Sequence, residues 1–260
     1  MEAIVLNEAQ LQAFIGQYLW PFLRIGALFM AMPIIGARTV AVRARVLLAV
    51  MVTLLASPLL PPFPDIIFFS AEGMAAVTKE VLVGLALGFS LQVALHIFVL
   101  GGQFIAMKMG LGFASMNDPS NGITVTVLSQ FYLLLSTLVF LAVNGHLIVI
   151  EMVVLSFTTL PVATGLTQTD FVAIAALGSW MFSAALVIAL PVFTALLVIN
   201  VAFGVMNRSA PQINVFTVGF PLTLILGLFF MWLALAVFLP HFYQVMDDIV
   251  LFSRGLLRIP

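Results

Sequence analysis

Three apolar stretches of unusual length constrain the fold of this chain more than any motif does. They cover about residues 73–116, 123–160 and 171–206. A helix needs about 20 residues to cross a membrane, and two helices joined by a turn need more than about 40. Each stretch therefore fits neither arrangement well. Each also has a potential helix breaker near its middle, namely Gly101-Gly102, Asn144-Gly145-His146 or Pro191, so we expect kinked helices and helical hairpins.

Shorter apolar blocks at about 11–35, 46–63 and 213–240 bring the total to about six segments. Hydrophobic residues make up 63% of the 260 residues and charged residues only 7%, whereas a soluble domain has about 25% charged residues. We therefore expect one all-α integral-membrane domain over residues 1–260. Its tail, about 241–260, is predicted to form an amphipathic helix from the spacing of Phe242, Val245, Ile249, Phe252 and Leu256.

Several classes of function are excluded by what the sequence lacks. The chain has no cysteine, which rules out thiol chemistry and thiolate metal sites. Its net charge of -1 provides no basic field for nucleic acid. It has no serine elbow between glycines, no HExxH motif and no phosphate-binding glycine loop, so we expect neither an enzyme nor a cofactor. Because Glu2 and Glu8 precede the first apolar block, we expect no cleaved signal peptide.

The charges outside the apolar blocks predict an orientation. Basic residues lie in alternate connections between blocks, and the other connections carry acidic residues. The basic set is Arg38, Arg43, Arg45, Lys108 and Arg208, and the acidic set is Asp65, Glu72 and Asp170. Because basic loops tend to remain in the cytoplasm, this pattern places the N-terminus outside, although Lys79, Arg254 and Arg258 oppose it.

Ionisable residues within the apolar blocks are candidates for function because their burial is costly. Glu151 follows His146 by five residues, which separates the two side chains by about 140° on a helix. This spacing favours a structural partner for Glu151 over a proton relay. Lys79 and Glu80 are expected to form a pair at the membrane interface. Arg24 either caps a kink or binds a partner subunit, and both roles remain open.

The segment from Gly101 to Gly122 differs from its apolar surroundings. It contains five glycines, a lysine, a proline and a cluster of polar residues around Asp118. Its larger apolar side chains include Met107, Met109, Phe113 and Met116. Methionine is flexible, and glycine permits backbone conformations that other residues avoid. The segment is therefore either a plain connector or a lining that seals an opening.

Three stretches of the chain resemble the FliR/SctT family of type III export-gate subunits. The first is 31–38 (AMPIIGAR) followed by 42–45 (VRAR). The second comprises 84–89 (GLALGF), 109–114 (MGLGFA), Asp118-Pro119 and 140–146 (FLAVNGH). The third is 207–216 (NRSAPQINVF), which runs into 219–222 (GFPL). These stretches occur in the family's order over nearly the whole chain, which makes the resemblance specific.

This resemblance implies a non-enzymatic subunit of a hetero-oligomeric helical channel assembly. The implied location is the bacterial inner membrane, within the flagellar basal body. The implied partners are FliP-like, FliQ-like and FlhB-like subunits, membrane lipid and the secreted unfolded flagellar proteins. The implied function is to line and plug the channel through which those proteins pass, without a cofactor, a metal or nucleic acid.

The residues that match the family's motifs fall into two sets. The implied channel plug consists of Met109, Gly110, Leu111, Gly112, Phe113, Ala114, Met116, Asp118 and Pro119. The implied subunit-packing set consists of Arg208, Pro211, Gln212, Asn214, Phe216, Gly219, Phe220, Pro221, Asn144 and His146. The alternative is a self-contained proton-coupled secondary transporter that uses Glu151, Lys108 or Asp118. Such transporters usually have two related halves, and we find no internal repeat.

Overall fold

A computed structural model describes residues 8–37, 39–64, 66–68, 70–111, 126–209 and 215–260 of the chain. These ranges contain eight α-helices and two short 3-10 turns, and no strand. The helices are α1 (Glu8–Ala31), α2 (Val42–Ala56), α3 (Ala71–Lys108), α4 (Val127–Ala142), α5 (Gly145–Thr159), α6 (Gln168–Ser209), α7 (Val215–Ala234) and α8 (Phe238–Leu257). The 3-10 turns are Ser57–Leu59 and Leu235–Val237.

Four helical stretches of the described chain are long and apolar enough to cross a membrane. They are Val42–Leu59, Ala71–Lys108, Gln168–Ser209 and Gly219–Leu257. The bent pair α4 and α5 forms a fifth candidate if it counts as one broken span. Helices suit this setting because they satisfy their backbone hydrogen bonds internally, without water. The prediction of an all-α membrane protein is confirmed.

The break predicted in the fourth block is present. The axes of α4 and α5 differ by 65°, and Asn144 between them has φ 57° and ψ 28°. Asparagine tolerates this left-handed conformation better than most residues because its short side chain can bond locally. The Nδ1 atom of His146, in the first turn of α5, is buried and bonds no group that the structure describes.

Gly101-Gly102 and Pro191 do not interrupt their helices. Helix α3 continues through both glycines for 38 residues, and α6 contains Pro191 within its 42 residues. At 1.5 Å per residue, α3 is about 57 Å long, roughly twice the hydrocarbon thickness of a bilayer. The glycines instead admit close neighbours, since a Cβ at Gly102 would lie 2.8 Å from the ring of Tyr132.

The chain divides into two compact units, and several helices contribute to both. Unit 1 comprises Met1–Gln92, Phe140–Leu177 and Ile249–Pro260, and unit 2 comprises Val93–Val139 and Gly178–Asp248. A core cluster in unit 1 is formed by Trp20, Ala76, Phe157 and Val162. In unit 2, the ring of Phe98 lies 5.1 Å from that of Phe238 and 5.7 Å from that of Phe242.

The tail of the chain forms α8. Its buried side chains include Phe242, Val245, Ile249 and Leu256, which are four of the five residues predicted to form the apolar face. The fifth, Phe252, is half-buried. The charged residues Asp247, Asp248 and Arg254 are exposed. Helix α8 therefore separates its apolar and charged side chains as an amphipathic helix does.

Candidate functional site

The C-terminal end of α3 leads into the predicted plug through an ordered helix terminus. The N–H of Leu111 donates to the carbonyl of Ala106 at 3.0 Å, and the N–H of Gly110 donates to the carbonyl of Met107 at 3.2 Å. Gly110 has φ 81°. Glycine in this conformation, with these two hydrogen bonds, ends many helices. The backbone from Met109 to Leu111 is thereby fixed.

Met109 and Gly110 both pack against α7. Met109 is only 1% exposed, and its Cε atom would lie 2.7 Å from a Cβ placed on Gly227. A Cβ on Gly110 would lie 3.1 Å from the ring of Phe220. The structure therefore brings a predicted plug residue into contact with a predicted packing residue. The exposed methionine at this end of α3 is Met107.

A polar cluster fixes Thr126, the residue directly before α4. The Oε1 atom of Gln103, on α3, accepts from the Thr126 N–H at 3.2 Å and from the Ser129 hydroxyl at 2.9 Å. The Oγ1 atom of Thr126 accepts from the Ser129 N–H at 3.4 Å and caps α4. Sequence reasoning missed these three residues, although a threonine directly before an apolar run is a helix-start signal.

Many residues implied by the resemblance lie outside the described residues. These are Gly112, Phe113, Ala114, Met116, Asp118, Pro119, Pro211, Gln212 and Asn214. Phe216 belongs to α7, and its side chain is not described. Of the remaining packing residues, Arg208, Phe220 and Pro221 are exposed, and Gly219 is buried. Asn144 is exposed and His146 is half-buried, and both belong to unit 1.

A groove of about 640 Å³ lies beside the anchored end of α3, within unit 2. Residues that line it include Met107, Lys108, Asn200, Phe203, Gly204 and Phe220. The ammonium of Lys108 lies 4.3 Å from the centroid of the Phe193 ring, a favourable cation–π arrangement. This groove therefore combines an apolar surface with a cationic group and an exposed amide.

A buried ion pair in unit 1 was also missed by sequence reasoning. Arg24 and Glu80 are both 0% exposed, and their Nε and Oε2 atoms lie 2.7 Å apart. A second Arg24 nitrogen donates to Glu80 Oε1 at 3.1 Å, so the pair is bidentate. Arg24 also donates to the Ser156 hydroxyl and to the Leu160 carbonyl, each at 2.9 Å. Arg24 therefore binds within its own chain.

This ion pair depends on a close crossing of α1 and α3. A Cβ on Gly84 would lie 2.9 Å from the Ala27 Cβ and would also collide with the Arg24 carbonyl. The Gly84-x-x-x-Gly88 spacing thus lets the two helices approach closely. The guanidinium of Arg24 also lies 4.1 Å from the centroid of the Phe157 ring, which covers one of its two faces.

Two predictions about intramembrane charges require correction or refinement. The predicted Lys79–Glu80 pair is wrong, because Glu80 pairs with Arg24 and Lys79 donates to the Ala163 carbonyl at 2.7 Å. Glu151 is exposed on α5, and neither of the two ion pairs among the described residues involves it. The Glu151 side chain therefore faces the surroundings of this chain.

The fold and these sites define a polytopic all-α membrane protein with polar clusters buried between its helices. Residues 15–249 match the family described as bacterial export proteins, family 1. The chain belongs to this family, and the match covers most of its length. It is therefore a membrane-embedded component of a protein-export apparatus.

Curated relatives agree with this assignment. The chain is 36% identical to flagellar biosynthetic protein FliR of Pectobacterium carotovorum subsp. carotovorum, over 95% of this chain and 96% of the relative. It is also 36% identical to flagellar biosynthetic protein FliR of Escherichia coli (strain K12), over 94% of each chain. It is 33% identical to surface presentation of antigens protein SpaR of Shigella sonnei, over 60% of each chain. The resemblance found in the sequence motifs is confirmed.

Proposed function

We propose that this chain is a non-catalytic subunit of the flagellar type III export gate in the bacterial inner membrane. In this proposal it works with FliP-like, FliQ-like and FlhB-like subunits and lines a channel for unfolded flagellar proteins. The segment from Met109 to Pro119 closes that channel. Family membership supports the export role, and the names of the relatives support the flagellar system.

The observation that carries the plug proposal is the anchoring on both sides of residues 112–125. On one side, Met109 is buried against Gly227 and Gly110 lies on Phe220. On the other side, Gln103 holds Thr126 and Ser129. All these residues belong to unit 2. A segment that seals an opening needs such fixed ends, because they return it to one position after each passage.

The anchors also indicate which residues of the implied plug hold the segment and which residues seal the channel. Met109 and Gly110 pack within the chain, so they hold the segment rather than contact cargo. The sealing surface then falls to the apolar residues that follow, foremost Phe113 and Met116. Methionine and phenylalanine can exclude water and ions without a directional bond, so they can part and close again. The plug is thus a hydrophobic seal on a fixed base.

A matched pair of double variants tests this seal. Phe113→Ser with Met116→Ser removes its apolar surface, whereas Phe113→Leu with Met116→Leu retains it, and both leave Met109 and Gly110 in place. Each variant is expressed with its partner subunits, and ion permeability of the membrane is measured alongside assembly of the complex. We expect increased leakage only with the serine pair. Equal permeability of the two variants, in a normally assembled complex, would remove the plug from the proposal.

A further inference from the structure

Lys108 brings a cationic group to a groove whose described lining residues include no carboxylate. Among the residues that the structure describes, the acidic side chains of unit 2 are Asp247 and Asp248, both exposed on α8. Neither of the two ion pairs in the described part of the chain includes Lys108. Its ammonium is held over the Phe193 ring at 4.3 Å. A charge in a membrane-spanning segment normally faces protein or water and has a partner.

A second polar group opens onto the same groove. Asn200 is exposed and lines the groove together with Lys108, and it belongs to α6, a helix long and apolar enough to span a membrane. Lipid hydrocarbon would leave this amide and the ammonium without partners, which is costly. A protein helix could hydrogen-bond both groups. The polar groups therefore favour protein over an acyl chain as the occupant.

The shape of the groove agrees with a helix as its occupant. A Cβ on Gly204 would meet no atom of the described residues within 4 Å, so this part of the groove leaves room for a neighbour. Small residues at such positions let the backbone of a second helix approach closely. Met107 and Phe220 are exposed apolar side chains on the same groove, and they supply surface for packing around the polar contact.

We propose that this groove receives a transmembrane helix of a different membrane subunit, which presents an aspartate or glutamate to Lys108. The inference rests on the proposed function only in that the chain works in a multisubunit membrane complex. The carboxylate pairs with the ammonium of Lys108, and a neighbouring polar group of the same helix bonds Asn200. The groove is thereby a charge-selective docking site for that helix.

Site-specific crosslinking identifies the occupant. A photoreactive amino acid is placed at Gly204, and the control position is Val198, which is 69% exposed. These positions lie about 120° apart on α6, and Val198 does not line the groove. We expect Gly204 to crosslink to one membrane protein, through a peptide of a transmembrane segment that contains Asp or Glu. A crosslink to lipid alone, or to a second copy of this chain, would overturn the proposal.

Charge variants test the pairing itself. With Lys108→Arg we expect the crosslinked subunit to co-purify at its normal level, and with Lys108→Gln at least about tenfold less, because this contact is lost while the isolated chain keeps its melting temperature. Lys108→Glu combined with Lys at the crosslinked acidic residue is expected to restore co-purification. No loss with Lys108→Gln, or no rescue by the charge exchange, contradicts the pairing.

The remaining alternative is that Lys108 pairs with a carboxylate of its own chain and not with one of a second subunit. Asp118 lies outside the described residues, and Asp118→Asn tests it directly. We expect this variant to leave co-purification unchanged, and a loss equal to that of Lys108→Gln would overturn the proposal. These measurements record subunit binding and not ion leakage. The docking proposal and the plug proposal are therefore tested independently, and either can be refuted without the other.

Discussion

The buried ion pair between Arg24 and Glu80 makes a quantitative prediction about stability. Glu80→Gln keeps the shape of the side chain but removes its charge. One of its two oxygens also becomes an NH₂ group that faces the N–H donors of Arg24. The guanidinium is 0% exposed, so water does not replace the lost partner. Removing one member of a buried pair destabilises proteins by about 3–5 kcal/mol.

The contacts of Arg24 place the expected effect within this range. Two of its hydrogen bonds go to Glu80, and two go to Ser156 and Leu160. The last two, and the Phe157 ring, remain in the Glu80→Gln variant and partly stabilise the charge. We therefore expect about 3 kcal/mol, which is roughly a hundredfold change in the unfolding equilibrium, at 1.4 kcal/mol per factor of ten.

The double variant Arg24→Met with Glu80→Met tests whether an unpaired buried charge causes the loss of stability, because it keeps the side-chain length and removes both charges. It removes both charges and leaves apolar side chains of similar length. Replacing a whole buried pair by apolar residues is often neutral or stabilising. We expect the double variant to be more stable than Glu80→Gln. The hydrogen bonds that Arg24 donates to Ser156 and Leu160 are lost, but the Ser156 hydroxyl still donates to the Val153 carbonyl at 2.6 Å.

The assay is reversible unfolding of the purified full chain in mixed detergent micelles, followed by tryptophan fluorescence. Glu151→Gln is the matched control, because it removes an exposed carboxylate from another membrane helix. We expect this control to change stability by less than about 0.5 kcal/mol. Glu80→Gln within about 1 kcal/mol of the unaltered chain, or a double variant less stable than the single one, would refute the reasoning.

Two further substitutions test the close helix crossing and the polar anchor. Gly84→Leu should destabilise the chain by more than about 3 kcal/mol, because its first atom already overlaps α1. Gly178→Leu on α6, where a Cβ meets nothing within 4 Å, should be neutral or slightly stabilising, and unfolding in detergent compares the two. Gln103→Leu should speed hydrogen exchange at the start of α4, by about tenfold or more, since it leaves buried donors without an acceptor. The exposed Gln130→Leu should not, and equal exchange in both variants would argue against the anchor.

The helical segments and their membrane character were predictable from sequence because hydropathy is a local property. Each of the predicted apolar blocks contains a helix, and four stretches are long enough to span a membrane. The break at Asn144-Gly145 was also readable, since asparagine and glycine both permit a left-handed residue between two helices. The motif resemblance identified the family that the comparisons confirm.

The same local signals failed where the outcome depended on neighbours. Gly101-Gly102 was predicted as a potential breaker, yet α3 continues through both glycines, and the Tyr132 ring packs closely at Gly102. Glycine weakens an isolated helix by only about 1 kcal/mol, and contacts between helices outweigh that amount. Met109 was implied to seal the channel but is buried against Gly227. The contacts that anchor the segment were therefore not predictable from the sequence.

By itself, the sequence determined that this chain is helical, apolar and a member of a protein-export family. Only the tertiary structure decided which polar groups meet. Arg24 and Glu80 are 56 positions apart, and Gln103 and Ser129 are 26 apart, so no periodicity connects them. In an apolar interior each such group must find a partner, and the chain alone does not say which one. The packing of the helices makes that choice, because it brings a particular donor within reach of a particular acceptor.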